Sequence, residues 1–143
     1  MTTNPLRILL VEDDGSIARV LAIAMRDLGV PYHLDQAFSG EEGLELWERQ
    51  PYDLILTDYN LRGMSGIHMI AAMKSHGRSV PTILFTAYDD AKVRREAREA
   101  GVDRFISKPF IVEEMIATAR SLLPTKAAAR GAAPPAEDDQ VTR

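Results

Sequence analysis

The chain has 143 residues, 45% hydrophobic and 27% charged, which is enough for one domain with its own core. Its formal net charge of -4 argues against non-specific nucleic-acid binding, which needs a basic face, and the absence of cysteine excludes disulfides, thiol nucleophiles and Cys-ligated metals. No apolar run approaches the ~20 residues of a membrane-spanning helix, and the opening MTTNPLRILLVEDD lacks the basic-then-apolar layout of a secretory signal, so the make-up fits a cytoplasmic protein without membrane insertion.

LRILLV (6–11) is the first of five apolar runs short enough to be strands, and Glu12, Asp13 and Asp14 follow it. Residues 15–28 repeat apolar groups at Ile17, Val20, Leu21, Ala24 and Leu28, the spacing of a helix, with Gly29 as its stop. A weaker, more mixed strand spans roughly 32–37. Ser39 opens a second helix, with Glu42 three residues on as in a capping box. LILT (54–57) is the third strand, ending against Asp58 and a loop. Ser65 can cap a helix running to about His76, with Gly77 beyond it. TILFT (82–86) ends in Thr86, and Asp89 or Asp90 can cap the next helix, which Gly101 stops after Ala100. RFIS (104–107) leads into Lys108 and Pro109, and a last helix covers about 111–123 and stops at Pro124. Residues 124–143, PTKAAARGAAPPAEDDQVTR, hold six Ala, three Pro and no aromatic, and read as a disordered tail beside a domain over 1–123.

Runs one, three and four are nearly all apolar, as central parallel strands covered on both faces must be. Five strands alternating with helices predict an α/β chain with a parallel sheet, right-handed crossovers and helices on both faces. Such sheets bind ligands beyond the carboxyl ends of their strands. Glu12, Asp13, Asp58, Thr86 and Lys108 therefore converge on one crevice, while Asp14 serves as a helix cap. Carboxylates placed together repel and raise one another's pKa. An all-oxygen set of this kind suits Mg²⁺. A cation, an ammonium and a hydroxyl together can hold a phosphoryl group, and a carboxylate among them can take it as an acyl phosphate.

ILLVEDD, LILTDYNLRGMSG, ILFTA and FISKPF, in this order and each at the end of its strand, resemble the receiver domain of two-component response regulators over residues 6 to about 123. The resemblance implies a flavodoxin-like (βα)5 sandwich with strand order 2-1-3-4-5. It implies that Asp58 accepts a phosphoryl group from a histidine kinase or a histidine phosphotransfer protein. Asp13 would bind Mg²⁺ directly, Glu12 mainly through water, and Asp58 and the backbone carbonyl of Asn60 would complete the set. Thr86 and Lys108 would hold the phosphoryl group, the Lys108–Pro109 bond would be cis, and Thr86 and Phe105 would act as the switch. The surface that changes would be the fourth helix, fifth strand and fifth helix, with an unknown protein effector and a monomer or a weak phosphorylation-dependent dimer. Asn60 and Tyr88 stand where receivers tune dephosphorylation. Arg62 departs from the family pattern, taking a position often held by proline.

The expectation is a single-domain, chemotaxis-type switch that catalyses only its own phosphorylation and dephosphorylation, because nothing after residue 123 could form a DNA-reading helix pair. A phosphate sink or phosphorelay intermediate is the nearest alternative. A Mg²⁺-dependent phosphohydrolase would want an acid at Asn60, and a flavin carrier would not place VEDDG against a phosphate. His33, His68 and His76 have no clustered partners, and Lys92, Arg94, Arg95 and Arg98 with Glu96 and Glu99 make a charged helix face.

Overall fold

The computed structural model describes residues 5–77 and 79–123. Strands β1 (Leu6–Val11), β2 (Tyr32–Ala37), β3 (Leu54–Asp58), β4 (Thr82–Thr86) and β5 (Arg104–Ser107) alternate with helices α1 (Gly15–Ala24), α2 (Gly40–Arg49), α3 (Gly66–Ser75), α4 (Ala91–Ala100) and α5 (Val112–Ser121). All pairings are parallel, in the order β2-β1-β3-β4-β5. This is the flavodoxin-like arrangement expected from the sequence.

Alternate strand residues feed two cores. Leu6, Ile8 and Leu10 pack with Leu54, Leu56, Ile83 and Phe85 under α1 and α5. Leu9, Val11, Ile55 and Leu84 face the other way, under Trp47 of α2, Met69, Ile70 and Met73 of α3 and Ala97 of α4. Both faces of β1, β3 and β4 are thus dry, which is why these runs lack a polar alternate. Each such Leu or Ile contributes roughly 1.5–3 kcal/mol by leaving water. β2 and β5 are the edges, and their mixed composition follows from having one neighbour instead of two.

Several local details differ from the sequence expectation. The first helix tightens to a 3₁₀ turn over Met25–Leu28 before Gly29 closes it at φ 90°. The last carbonyls of that turn are taken by Arg120, whose Nε donates to Leu28 and Nη2 to Asp27. Val20, placed on the apolar stripe by spacing, is 56% exposed. The buried stripe runs through Ala18, Leu21 and Ala24 and leaves Val20 on its outer edge. Ser39 caps α2 through the Glu42 N–H, but the Glu42 carboxylate accepts from Phe38, one residue before the capping-box position. Asp14, Ser65 and Asp90 cap α1, α3 and α4; Asp89 does not cap. The expected tail, 124–143, and Pro124 lie outside the described residues. Among the described residues no helix is long and apolar enough to cross a membrane.

Candidate functional site

The carboxyl ends of β1, β3, β4 and β5 meet at one crevice. Asp58 is the last residue of β3, one position further than the apolar run suggests, because the strand still pairs with Phe85 there. It is 5% exposed. Glu12 follows β1 and is buried, and Thr86 closes β4 and is buried. Lys108 follows β5 through a backbone bond to Thr86, precedes a cis bond to Pro109, and sets its Nζ 3.1 Å from Asp58 Oδ1. Four residues widely separated in sequence therefore share one mouth.

Glu12, Asp13 and Asp58 each bring a carboxylate oxygen to within 4.8 Å of the others. Glu12 Oε2 accepts the Asp14 N–H at 3.1 Å, while Glu12 Oε1 is buried with no hydrogen-bond partner among the described residues. Three acids with the single ammonium of Lys108 among them, one of them with an orphaned buried oxygen, make a donor set that suits a hard divalent cation. Burial pushes the Glu12 carboxyl up to about 7, opposed by the Asp14 N–H and aided by the Asp58 charge. Burial also raises the Asp58 carboxyl, opposed by the Lys108 ammonium and by the backbone N–H groups of Asn60 and Tyr59. Asp13 Oδ2 accepts the Arg62 N–H at 3.1 Å, and the Arg62 guanidinium lies 3.7 Å from the same oxygen.

The loop after β3 is folded back tightly. Gly66 N–H donates to Tyr59 C=O, and a Cβ at Gly66 would overlap the carbonyl oxygen of Asp58. Asn60 is exposed on this loop. Across the crevice, Tyr88 N–H donates to Thr86 Oγ1 at 2.9 Å. The Tyr88 ring meets the Tyr59 ring edge to face, 6.0 Å between centroids. Phe105 is half-buried on β5, with the Arg94 guanidinium 4.5 Å above its ring. Arg94 is held by Asp89, and Asp89 accepts from Ser107 on β5.

Sequence reasoning did not single out Tyr59, Gly66 or Ser107, and it saw Asp89 and Arg94 only as a cap and a surface charge. Gly66 carried a signal, since a glycine closing a loop behind a buried acid suggests close backbone approach. The ring and ion-pair partners carried none, being set by packing between loops. His33 and His68 are exposed, and His76 meets the Trp47 ring edge-on at 5.5 Å.

Comparison with known proteins agrees with this geometry. The profile of the response regulator receiver domain family matches residues 8–120. The transcriptional regulatory protein DltR of Streptococcus agalactiae is 35% identical over 115 residues, which is 80% of this chain and 50% of that protein. The cell cycle transcriptional regulator CtrA of Caulobacter vibrioides is 31% identical over 112 residues, 78% of this chain and 48% of that one. The chain spans about half the length of the curated relatives it matches. Among solved structures, the receiver domain of the Francisella response regulator 1452 is 28% identical with a TM-score of 0.76, covering 83% of this chain and 96% of that one. The Vibrio cholerae chemotaxis protein CheY4 is 25% identical with a TM-score of 0.75, covering 84% and 100%. Receiver domains work with a histidine kinase partner and generally bind Mg²⁺, in keeping with the acidic cluster here. A sheet of this order, with these acids and this lysine at its carboxyl end and a family profile across most of its length, places the chain in the response regulator receiver domain family.

Proposed function

We propose that the chain is a phosphoacceptor switch with Asp58 as the acceptor. The observation that carries this reading is the pairing of buried Asp58 with Lys108 at 3.1 Å beside the Glu12–Asp13 cluster. A carboxylate oxygen of Asp58 bonds to phosphorus as the P–N bond to a donor histidine breaks, and the electron pair leaves with the imidazole. The donor is a histidine kinase or a histidine phosphotransfer protein. Asp13, Asp58 and the Asn60 carbonyl would hold Mg²⁺ directly and Glu12 mainly through water, and the ion would supply positive charge to the phosphoryl oxygens. Lys108 turns its ammonium from the free carboxylate to the phosphoryl group. Thr86 donates its hydroxyl hydrogen to the same group while its oxygen still accepts the Tyr88 N–H.

An open groove beside the site supports donor docking. It is lined by Asp14, by the exposed side chains of Val20, Ile23 and Phe38, and by Arg19 and Arg26. Asn60 has no proton to give where a phosphohydrolase would keep an acid, which supports a chain that acts only on its own phosphoryl group. Asn60 and Tyr88 tune the loss of that group. Output passes through α4, β5 and α5 to a protein effector, because on β5 Ser107 is tied to Asp89 in the loop that Thr86 would pull and Phe105 to Arg94 on α4. In this reading the protein is cytoplasmic, and monomeric or weakly dimeric when phosphorylated.

The test is amide NMR with Mg²⁺ and beryllofluoride, a phosphoryl mimic. Shifts at Asp58, Thr86 and Lys108 that extend to Phe105, Ser107 and α4 are expected. Shifts confined to the crevice would remove the switch, and no shift at Asp58 would remove the acceptor.

A further inference from the structure

Two tyrosines stand on the loops that flank the phosphoacceptor, and they are built differently. Tyr59 follows Asp58 directly and is fixed at both backbone groups: its N–H donates to Phe85 C=O and its C=O accepts from Gly66. Its ring is half-buried against the core under α2, α3 and α4. Tyr88 lies in the loop before α4, is 51% exposed, and is anchored near the site through its N–H to Thr86 Oγ1. β3 and β4 are neighbours with Asp58 beside Phe85, so the two loops leave the sheet side by side. The rings close the gap between them, 6.0 Å apart and inclined at 65°. An exposed ring on a loop keeps one position only when something rigid holds it. Here the edge-to-face contact with Tyr59 is the ring contact that does so.

The geometry points to Tyr59 as a positioning residue for the lifetime of the phosphoryl group: it braces the Tyr88 ring beside the mouth of the crevice and so restricts hydrolytic water. This rests on Asp58 being the acceptor. In the step concerned, a water oxygen bonds to phosphorus, the P–O bond to Asp58 breaks, and the electron pair returns to the carboxylate. The water protons pass to phosphate and solvent. Tyr59 touches neither the phosphoryl group nor the water in this account and acts through Tyr88 alone.

The experiment charges each protein with acetyl phosphate and Mg²⁺, removes the donor, and follows loss of the phosphoryl group by intact mass. Tyr59→Leu keeps apolar packing and loses the ring; Tyr59→Phe keeps the ring. Tyr59→Leu is expected to shorten the lifetime by roughly two- to twelvefold, the worth of an edge-to-face ring pair. Tyr88→Ala is expected to shorten it at least as much. The double variant should match Tyr88→Ala alone, and Tyr59→Phe should match the parent. Multiplying effects in the double variant would overturn the inference, because Tyr59 would then act independently. So would a Tyr59→Leu lifetime equal to the parent's, or a Tyr59→Phe lifetime as short as that of Tyr59→Leu. Failure of the parent protein to take up phosphate, with beryllofluoride also without effect, would overturn the acceptor reading and this inference with it.

Discussion

Glu12 and Asp58 are acids held out of water by the strands they end, and their stability depends on what is brought to them. Asp58 has Lys108, whereas Glu12 Oε1 has no hydrogen-bond partner among the described residues. Glu12→Gln removes the charge that this carboxyl carries above about pH 7 and keeps an oxygen for the Asp14 N–H. In chelator above that pH it should therefore stabilise the fold by about 1–3 kcal/mol, the cost of an unsatisfied buried group, and the gain should fade as the pH falls toward 4.5. Thermal melting checks this, and a lower melting temperature for the variant would contradict it. Arg62 bears on the same cluster, because its N–H and guanidinium both face Asp13 Oδ2. The guanidinium is 85% exposed, so its grip is weak. Arg62→Ala should tighten Mg²⁺ binding by roughly 1.4- to 5-fold, corresponding to about 0.2–1 kcal/mol for an exposed pair. Calorimetric titration of the metal checks it; unchanged or weaker binding would contradict the competition. The positions at the strand ends were legible in the sequence because each closes an apolar run or lies within two residues of its end. The Tyr59–Tyr88 and Arg94–Phe105 contacts were not, because tertiary packing brings those partners together.

At the scale of elements, the loop from β3 to α3 closes on itself because Gly66 has no side chain. Gly66→Ala should cost about 1–3 kcal/mol, the range for overpacking, since the atom it strikes is backbone and cannot turn away. A fall in denaturation midpoint with the slope unchanged is the expected reading. The loop from β4 to α4 is fastened differently. Asp89 is held at about 2, below its ordinary 3.8, first by its bond with Arg94 and then by the Ser107 hydroxyl. Its folded value is depressed, so the unfolded chain takes the proton first. Its contribution is complete above 3.8 and is lost as the pH falls through about 2. Arg94→Ala should return the Asp89 carboxyl toward 3.8, read by carbon NMR; a value still near 2 would show that Ser107 alone holds it. The choice between Asp89 and Asp90 as helix cap was open in the sequence because both are good caps. Tertiary pairing with Arg94 and Ser107 takes Asp89 away and leaves Asp90 for the Val93 N–H.

For the whole molecule, the sheet does the placing. Parallel strands all leave the sheet at one end, so acids after β1 and β3, a hydroxyl after β4 and an amine after β5 meet without any local sequence relation. Strand existence was legible because two-sided burial makes the middles of β1, β3 and β4 apolar, and strand order because the motifs resemble a known family. Helix ends were less so: periodicity does not distinguish the α-helical part of 15–28 from its 3₁₀ end, nor a rim residue such as Val20 from the buried stripe. The central claim is that this arrangement makes Asp58 a Mg²⁺-dependent phosphoacceptor. Intact mass after incubation with acetyl phosphate, with Mg²⁺ or with chelator, tests it most directly on the parent protein and Asp58→Asn. One phosphoryl group on the parent with Mg²⁺ only, and none on the variant, is the result predicted. Equal labelling of both proteins, or labelling of the parent unaffected by chelator, would contradict it.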